Sequence, residues 1–196
     1  MDLDDHRLIA DCLEGRTAAY GELVRRYQDR LYNTIYRLLD NAEDAQDVLQ
    51  EAFLNAYLSL DRFKGEAQFF TWLYRIAFNA AISYRRKRRS SLAVKSGRAL
   101  EAVSEPLDPS DSCRPEHGLE RADEERRIQD ALNRLSPDHR IVLILKDVED
   151  QKYAQMAAIL GVPVGTIRSR LHRARMEMRA ILLSEEEQSR DTSAKA

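Results

Sequence analysis

Four arginines fall within GVPVGTIRSRLHRAR, Gly161 to Arg175: Arg168, Arg170, Arg173 and Arg175. Guanidinium groups at that density make no covalent chemistry. They hold anions, and at helical spacing they suit a polyanion better than a small ligand. With Ile167 taken as the inward reference of a helix, Leu171, Ala174 and Met178 join it on one narrow face. Ser169, His172, Arg173 and Met176 then point most directly outward. Arg168, Arg175 and Arg179 lie along one flank and Arg170 along the other. Such a helix fits a major groove, with outer side chains at base edges and flanking arginines at phosphates. Gly165 and Thr166 are small, so a phosphate can also approach the helix N-terminus. A solvated basic face explains the arginines alone equally well. The inward stripe and the short helix KYAQMAAIL before a tight Gly161-Val162 turn favour a DNA-binding helix-turn-helix.

A second constellation is FKGEAQFFTWLYRIAFN, Phe63 to Asn79, followed by the basic run Arg85-Arg86-Lys87-Arg88-Arg89. A wheel places Leu73, Ile76 and Ala80 inward, with Thr71, Tyr74 and Phe78 roughly opposite. Exposed rings beside cations would bind unstacked bases. A buried aromatic cluster with a frayed basic helix end is the simpler reading of these residues by themselves. A third constellation is acidic: Asp44, Asp47 and Glu51 recur at i, i+3 and i+7 with Gln50 alongside. It reads as a docking face for a basic partner or as a solvated surface. A carboxylate metal site would need a Glu-x-x-His pattern and matching acids on other helices, and the sequence has neither.

The elements that must position these groups are helices. Of 196 residues only five are proline and seven glycine, and strand-like alternation is nearly absent, so the chain reads as all-α. Residues 1–89 form a first helical module. Leu8, Ile9, Cys12 and Leu13 face inward and stop at Gly15. Thr17 is a candidate cap for a second helix, whose stripe of Tyr20, Leu23, Val24, Tyr27, Leu31, Ile35 and Leu38 ends at Asp40-Asn41. A third helix runs from about Glu43 to Leu60 and a fourth from about Phe69 to Arg88. Residues 90–116, rich in Ser, Pro, Gly and Asp, read as a flexible linker that could span roughly 90 Å when extended. A second module, 117–184, holds the stripe Ala122, Ile128, Ala131, Leu132 and Leu135. Ser136-Pro137 is a helix start, and Ile141–Leu145 an apolar core. Residues 185–196 read as a disordered tail.

The net charge of −2 hides this segregation of acid and base. Cys12 and Cys113 lie far apart without metal-ligand spacing and read as free thiols of a reducing compartment. No signal-peptide pattern and no membrane-length apolar run is present, so a cytoplasmic location is expected. No nucleophile–base pair, phosphate-cradling glycine loop or metal-ligand cluster appears. The expectation is therefore a protein with no catalytic residues, no metal and no cofactor.

Three segments together, DAQDVLQEAFLNAY, FKGEAQFFTWLYRIAFNAA and LSPDHRIVLILKDVEDQKYAQMAAILGVPVGTIRSRLHRAR, resemble the characteristic regions of bacterial extracytoplasmic-function sigma factors. The resemblance covers both modules, with its motifs in order. It implies a promoter-recognition subunit of RNA polymerase. The acidic helix, through Asp44, Asp47, Gln50 and Glu51, would dock on the clamp of the largest polymerase subunit, with a further contact at the flap of the second largest. Phe63, Lys64, Gly65, Glu66, Gln68, Trp72, Tyr74, Asn79, Arg85 and Arg86 would melt the minus-ten element and hold its separated strand. Gly165, Thr166, Arg168, Ser169, Arg170, His172, Arg173 and Arg175 would read the minus-thirty-five element as duplex. An anti-sigma factor is a further partner the resemblance implies. Two departures leave the promoter sequence open: serine is frequent in relatives where GEAQFF has Ala67 or Gln68, and an aromatic is frequent at His172. A stand-alone regulator, binding duplex without polymerase, is the competing reading.

Overall fold

The computed structural model describes residues 3–96 and 117–193, with side chains over 4–88 and 123–185. These residues form helices and turns in two compact units. Residues 97–116, most of the expected linker, lie outside them, as does the side chain of Arg89.

In the first unit, α1 (Leu3–Leu13) packs on α2 (Thr17–Leu39). Asp5 is almost fully buried between them. Its carboxylate takes Arg26 at 2.6 Å and the Tyr27 hydroxyl at 2.5 Å. A buried charge persists only when paired in this way. Leu13, expected inward, is exposed. Thr17 is not the cap of α2: Arg16 holds that place with no side-chain bond, and Thr17 is the first helical residue. Asp40 ends α2 in the left-handed region at φ 55°, its N–H donating to the Tyr36 carbonyl at 2.7 Å. Asn41 then starts α3 (Ala42–Leu58), accepting from the Asp44 N–H at 2.9 Å.

Along α3 the fully buried Ala45, Val48, Ala52 and Ala56 form a row of small side chains. Small residues let neighbouring backbones approach closely, and both α2 and α4 (Phe69–Ser96) pack there. A 3-10 turn, Leu60–Arg62, buries Leu60 and leads into the loop before α4. α4 continues past Arg88 into the first residues of the expected linker.

The second unit begins with α5 (His117–Arg134). Ile128, expected in its stripe, is 37% exposed, whereas Ala131, Leu132 and Leu135 are buried. Ser136 caps α6 (Pro137–Leu143) by accepting from the His139 N–H at 3.3 Å, with Pro137 at the first helical position. The helix widens into a π turn, Ile144–Val148, and Ile141–Leu145 are all buried. α7 (Tyr153–Leu160) ends at Gly161, left-handed at φ 65°. An L side chain rarely adopts that conformation, which is why glycine closes the turn. α8 (Val164–Ser193) follows and carries helix well into the segment expected to be a disordered tail.

Candidate nucleic-acid interface

The first half of α8 divides as its sequence predicts except at Met178, expected inward and half-buried. Ile167, Leu171 and Ala174 are buried, each at most 3% exposed. Arg168, Ser169, His172, Arg173, Arg175 and Met176 are exposed, Thr166 and Arg170 half-buried. Gly165 is exposed, and a Cβ added there would meet nothing within 4 Å, so the start of the helix is open to a ligand. The Ser169 hydroxyl donates to the Thr166 carbonyl at 3.0 Å, which leaves its lone pairs outward as acceptors.

The fold ties down some of the expected phosphate contacts. Asp147, at the π turn, takes Arg175 through both Nε and Nη2, the first at 3.3 Å. That pairing raises the Arg175 pKa, the Asp147 hydrogen bond being the largest cause. Arg170 pairs with Asp138 at 3.0 Å. Arg168 lies over the Tyr153 ring, 5.8 Å from its centroid. A phosphate must compete with Asp147 and Asp138 for two of the arginines, while Arg173 and His172 point outward from the centre of the exposed face.

The aromatic segment of the first unit departs from expectation at one residue above all. Tyr74 is 2% exposed. Its hydroxyl shares a 2.8 Å hydrogen bond with Thr34, and its ring lies 4.1 Å from that of Phe70. The assignment of Tyr74 to the captured strand is therefore corrected: it is a core residue. Thr71 is buried as well. The wheel failed because α4 packs against both α2 and α3, Tyr74 meeting Thr34 of α2 and Tyr84 meeting Asp44 of α3, so its buried face is wider than one stripe.

The remaining positions of that segment form a platform. Phe63 meets Phe69 edge-on, 5.6 Å between centroids at 89°, and meets Trp72 at 5.3 Å. Phe69 is fully buried, whereas Phe63 and Trp72 are half-buried, each with surface left over. Gly65 has φ 73°, turning the loop so that Lys64, Glu66 and Gln68 are all exposed. Asn79 and Arg86 are exposed on α4 and Arg85 is half-buried.

On α3, Asp47, Gln50 and Glu51 are exposed. Asp44 is not part of that open face. Its side chain is 14% exposed, and it accepts from the Tyr84 hydroxyl at 2.6 Å and from Arg88. Sequence reasoning missed two members of the outer stripe: Leu54 is 58% and Leu58 68% exposed. They continue the Asp47–Glu51 row at helical spacing, and that continuation was the signal available. The exposed outer stripe of α3 thus runs from acidic residues at Asp47 and Glu51 to apolar ones at Leu54 and Leu58. Among the described residues no group of three His, Cys, Asp or Glu could hold a metal ion, and no helix is long and apolar enough to cross a membrane.

Comparison with known proteins accounts for both units. The description Sigma-70 region 2 matches residues 23–91, and Sigma-70, region 4 matches residues 125–178. The ECF RNA polymerase sigma factor SigW of Bacillus subtilis is 32% identical, over 91% of this chain and 97% of that protein. The ECF RNA polymerase sigma-E factor of Escherichia coli K12 is 36% identical, over 88% of this chain and 91% of its own length. Among solved structures, the sigma factor RpoE in complex with the anti-sigma factor NepR from Bartonella quintana superposes with a TM-score of 0.67 at 26% identity, covering 83% of this chain and 96% of that one. CnrH in complex with the cytosolic domain of CnrY matches with the same TM-score and identity, over 92% of this chain and 98% of that one. The two arginine-bearing helices and the acidic stripe thus belong to a promoter-recognition subunit, and the chain is a member of the extracytoplasmic-function family of RNA polymerase sigma factors.

Proposed function

We propose that the work of this sigma factor falls on three surfaces. The stripe of Asp47, Gln50, Glu51, Leu54 and Leu58 on α3 binds core RNA polymerase. The loop of Phe63, Lys64, Gly65, Glu66 and Gln68, with Trp72, Asn79, Arg85 and Arg86, holds the separated strand of the minus-ten element. Gly165, Thr166, Arg168, Ser169, His172 and Arg173 read the minus-thirty-five duplex.

The observation that carries this reading is the division of α8, with Ser169, His172 and Arg173 outward over buried Ile167, Leu171 and Ala174. Arginine can bond a guanine edge with two donors, and Ser169 can accept from a base amino group. Phosphate contacts supply salt-dependent affinity, and capture of unstacked bases offsets the cost of opening the duplex. Held on one polymerase, two small units reach both elements at high effective concentration. The chain contributes binding and strand separation from the cytoplasm, and bond formation belongs to the polymerase. A partner of the anti-sigma class is part of this proposal, supported by the complexes recorded for the two similar structures.

Run-off transcription with bacterial core polymerase across a genomic promoter library tests the scheme. The chain should direct initiation at a defined promoter set, and gel shifts without core should show weak duplex binding. Tight duplex binding without core would favour the stand-alone regulator. Asp47→Arg should weaken core binding at least about tenfold, since a like charge set against a basic surface costs more than about 1.4 kcal/mol.

A further inference from the structure

Asp44 lies in the first turn of α3, where a carboxylate commonly turns back toward its own helix start. Here it turns outward to α4. Tyr84 and Arg88 stand four residues apart, one helical turn, so both reach the same carboxylate. Tyr84 donates its hydroxyl to Oδ1 at 2.6 Å, and Arg88 meets Oδ2 through Nη1. The Asn41 side chain holds the Asp44 N–H at 2.9 Å, which fixes the backbone from which the carboxylate projects. The carboxylate is mostly covered, but the Arg88 side chain is 54% exposed. An ion pair with so exposed a partner adds little to stability. Its consequence is electrostatic: Arg88 of the basic run faces a carboxylate of its own chain.

We propose that Asp44 is a positioning residue for the nucleic-acid side of α4 and not a polymerase contact. It aims the helix end through Tyr84 and keeps Arg88 out of the set of charges that meet promoter phosphate. The docking helix and the strand-holding helix are thereby fastened at a point next to both of their surfaces. The inference rests on the sigma-factor reading of α4 given above.

The test uses holoenzyme assembled from core polymerase and the full chain, with promoter binding followed against salt concentration. Each phosphate neutralised adds about 0.7 to 0.9 to the slope of log affinity against log salt. Asp44→Asn keeps an acceptor for Tyr84 and removes the negative charge set against Arg88, so the slope should steepen by about 0.7 to 0.9. The double variant Asp44→Asn, Arg88→Gln restores neutrality and should return to the wild-type slope. Asp44→Glu should also keep it, and core affinity should be the same in all. An unchanged slope in Asp44→Asn, or a double variant shallower than wild type, would overturn the inference, since Arg88 would then already be on phosphate. Loss of core affinity in Asp44→Asn would overturn it too and return Asp44 to the docking face. Should Asp44→Asn not fold, Asp44→Ser carries the same comparison. Failure of the wild-type chain to form any promoter complex would overturn the functional reading itself, a result distinct from an unmoved slope.

Discussion

The two long arginine-bearing helices, α4 and α8, look alike in sequence and are used differently. Each was expected to turn one face to the core and the other to nucleic acid. In its first half α8 buries Ile167, Leu171 and Ala174 and leaves the opposite face open. α4 buries Phe69, Phe70, Thr71, Leu73, Tyr74, Ala77, Ala80 and Ala81, an arc of about 200° where the buried residues of α8 span about 60°. Its neighbours are both α2 and α3. A helical wheel separates inside from outside only for a helix with one packing partner. On a helix held from two sides, the ring opposite the first stripe belongs to the second interface.

The sharpest way to break this contrast is to truncate one residue from each helix. Tyr74→Ala should cost about 3–5 kcal/mol, as large aromatic deletions in packed cores do. A thermal or urea melt of the chain without polymerase or DNA reads that loss. His172→Ala, on the open face of α8, should stay within about 0.5 kcal/mol of wild type in the same melt. A fully stable Tyr74→Ala protein with a specific defect in promoter opening would put Tyr74 back among the strand contacts.

Next in size is Arg173→Ala. A guanidinium bonded to a base edge contributes about 1–3 kcal/mol of discrimination. Transcription should fall by that factor at promoters that depend on the upstream element and hold where the element is dispensable. Equal loss at both kinds of promoter would show that Arg173 meets only phosphate. Smaller still is the release of Arg175. Asp147→Asn removes the carboxylate that holds it. Affinity for the upstream duplex should rise by less than about 1 kcal/mol, because exposed pairs are individually weak. The salt slope should steepen by about 0.9, one phosphate's worth.

What could be read from the sequence followed the range of the interaction responsible. Asp40-Asn41, Ser136-Pro137 and Gly161 mark helix ends in both the sequence and the fold, because caps and left-handed turns are made by residues a few positions apart. The inward stripe of α8 was legible for the same reason, since one neighbouring surface selects one periodic face. Tyr74 was not, because its burial depends on α2, whose Thr34 lies forty residues away. Arg175 reads as a free cation until the π turn brings Asp147 to it, and nothing local announces that turn. Leu54 and Leu58 were passed over because leucine on a helix is read as core by default. Only their exposure marks them as surface. Asp44 matched the docking pattern by spacing, and only the packing of α3 on α4 turns it toward Tyr84 and Arg88.

The smallest effect concerns alkali, and it too separates the helices. α8 carries no tyrosine, whereas α4 carries Tyr74 and Tyr84. The hydrogen bond to Asp44, more than burial, pushes the Tyr84 phenol up to about 12. Across the first core Tyr20 is raised as well, there mainly by burial, and its hydroxyl donates to the Phe53 carbonyl at 2.5 Å. A folded-state pKa above the unfolded value means that the native state holds its proton more tightly. The stabilisation is complete below about pH 10, where an unfolded tyrosine is still protonated, and drains away as pH rises toward about 12. Melting of the first unit should therefore decline over that interval. Tyr84→Phe, which has no phenolic proton to lose, should make the decline shallower, and Asp44→Asn should shift part of it to lower pH. A melting curve over that interval that is the same for wild type and Tyr84→Phe would show that Tyr84 donates to water rather than to Asp44, and would loosen the fastening of α3 to α4 on which the contrast with α8 depends.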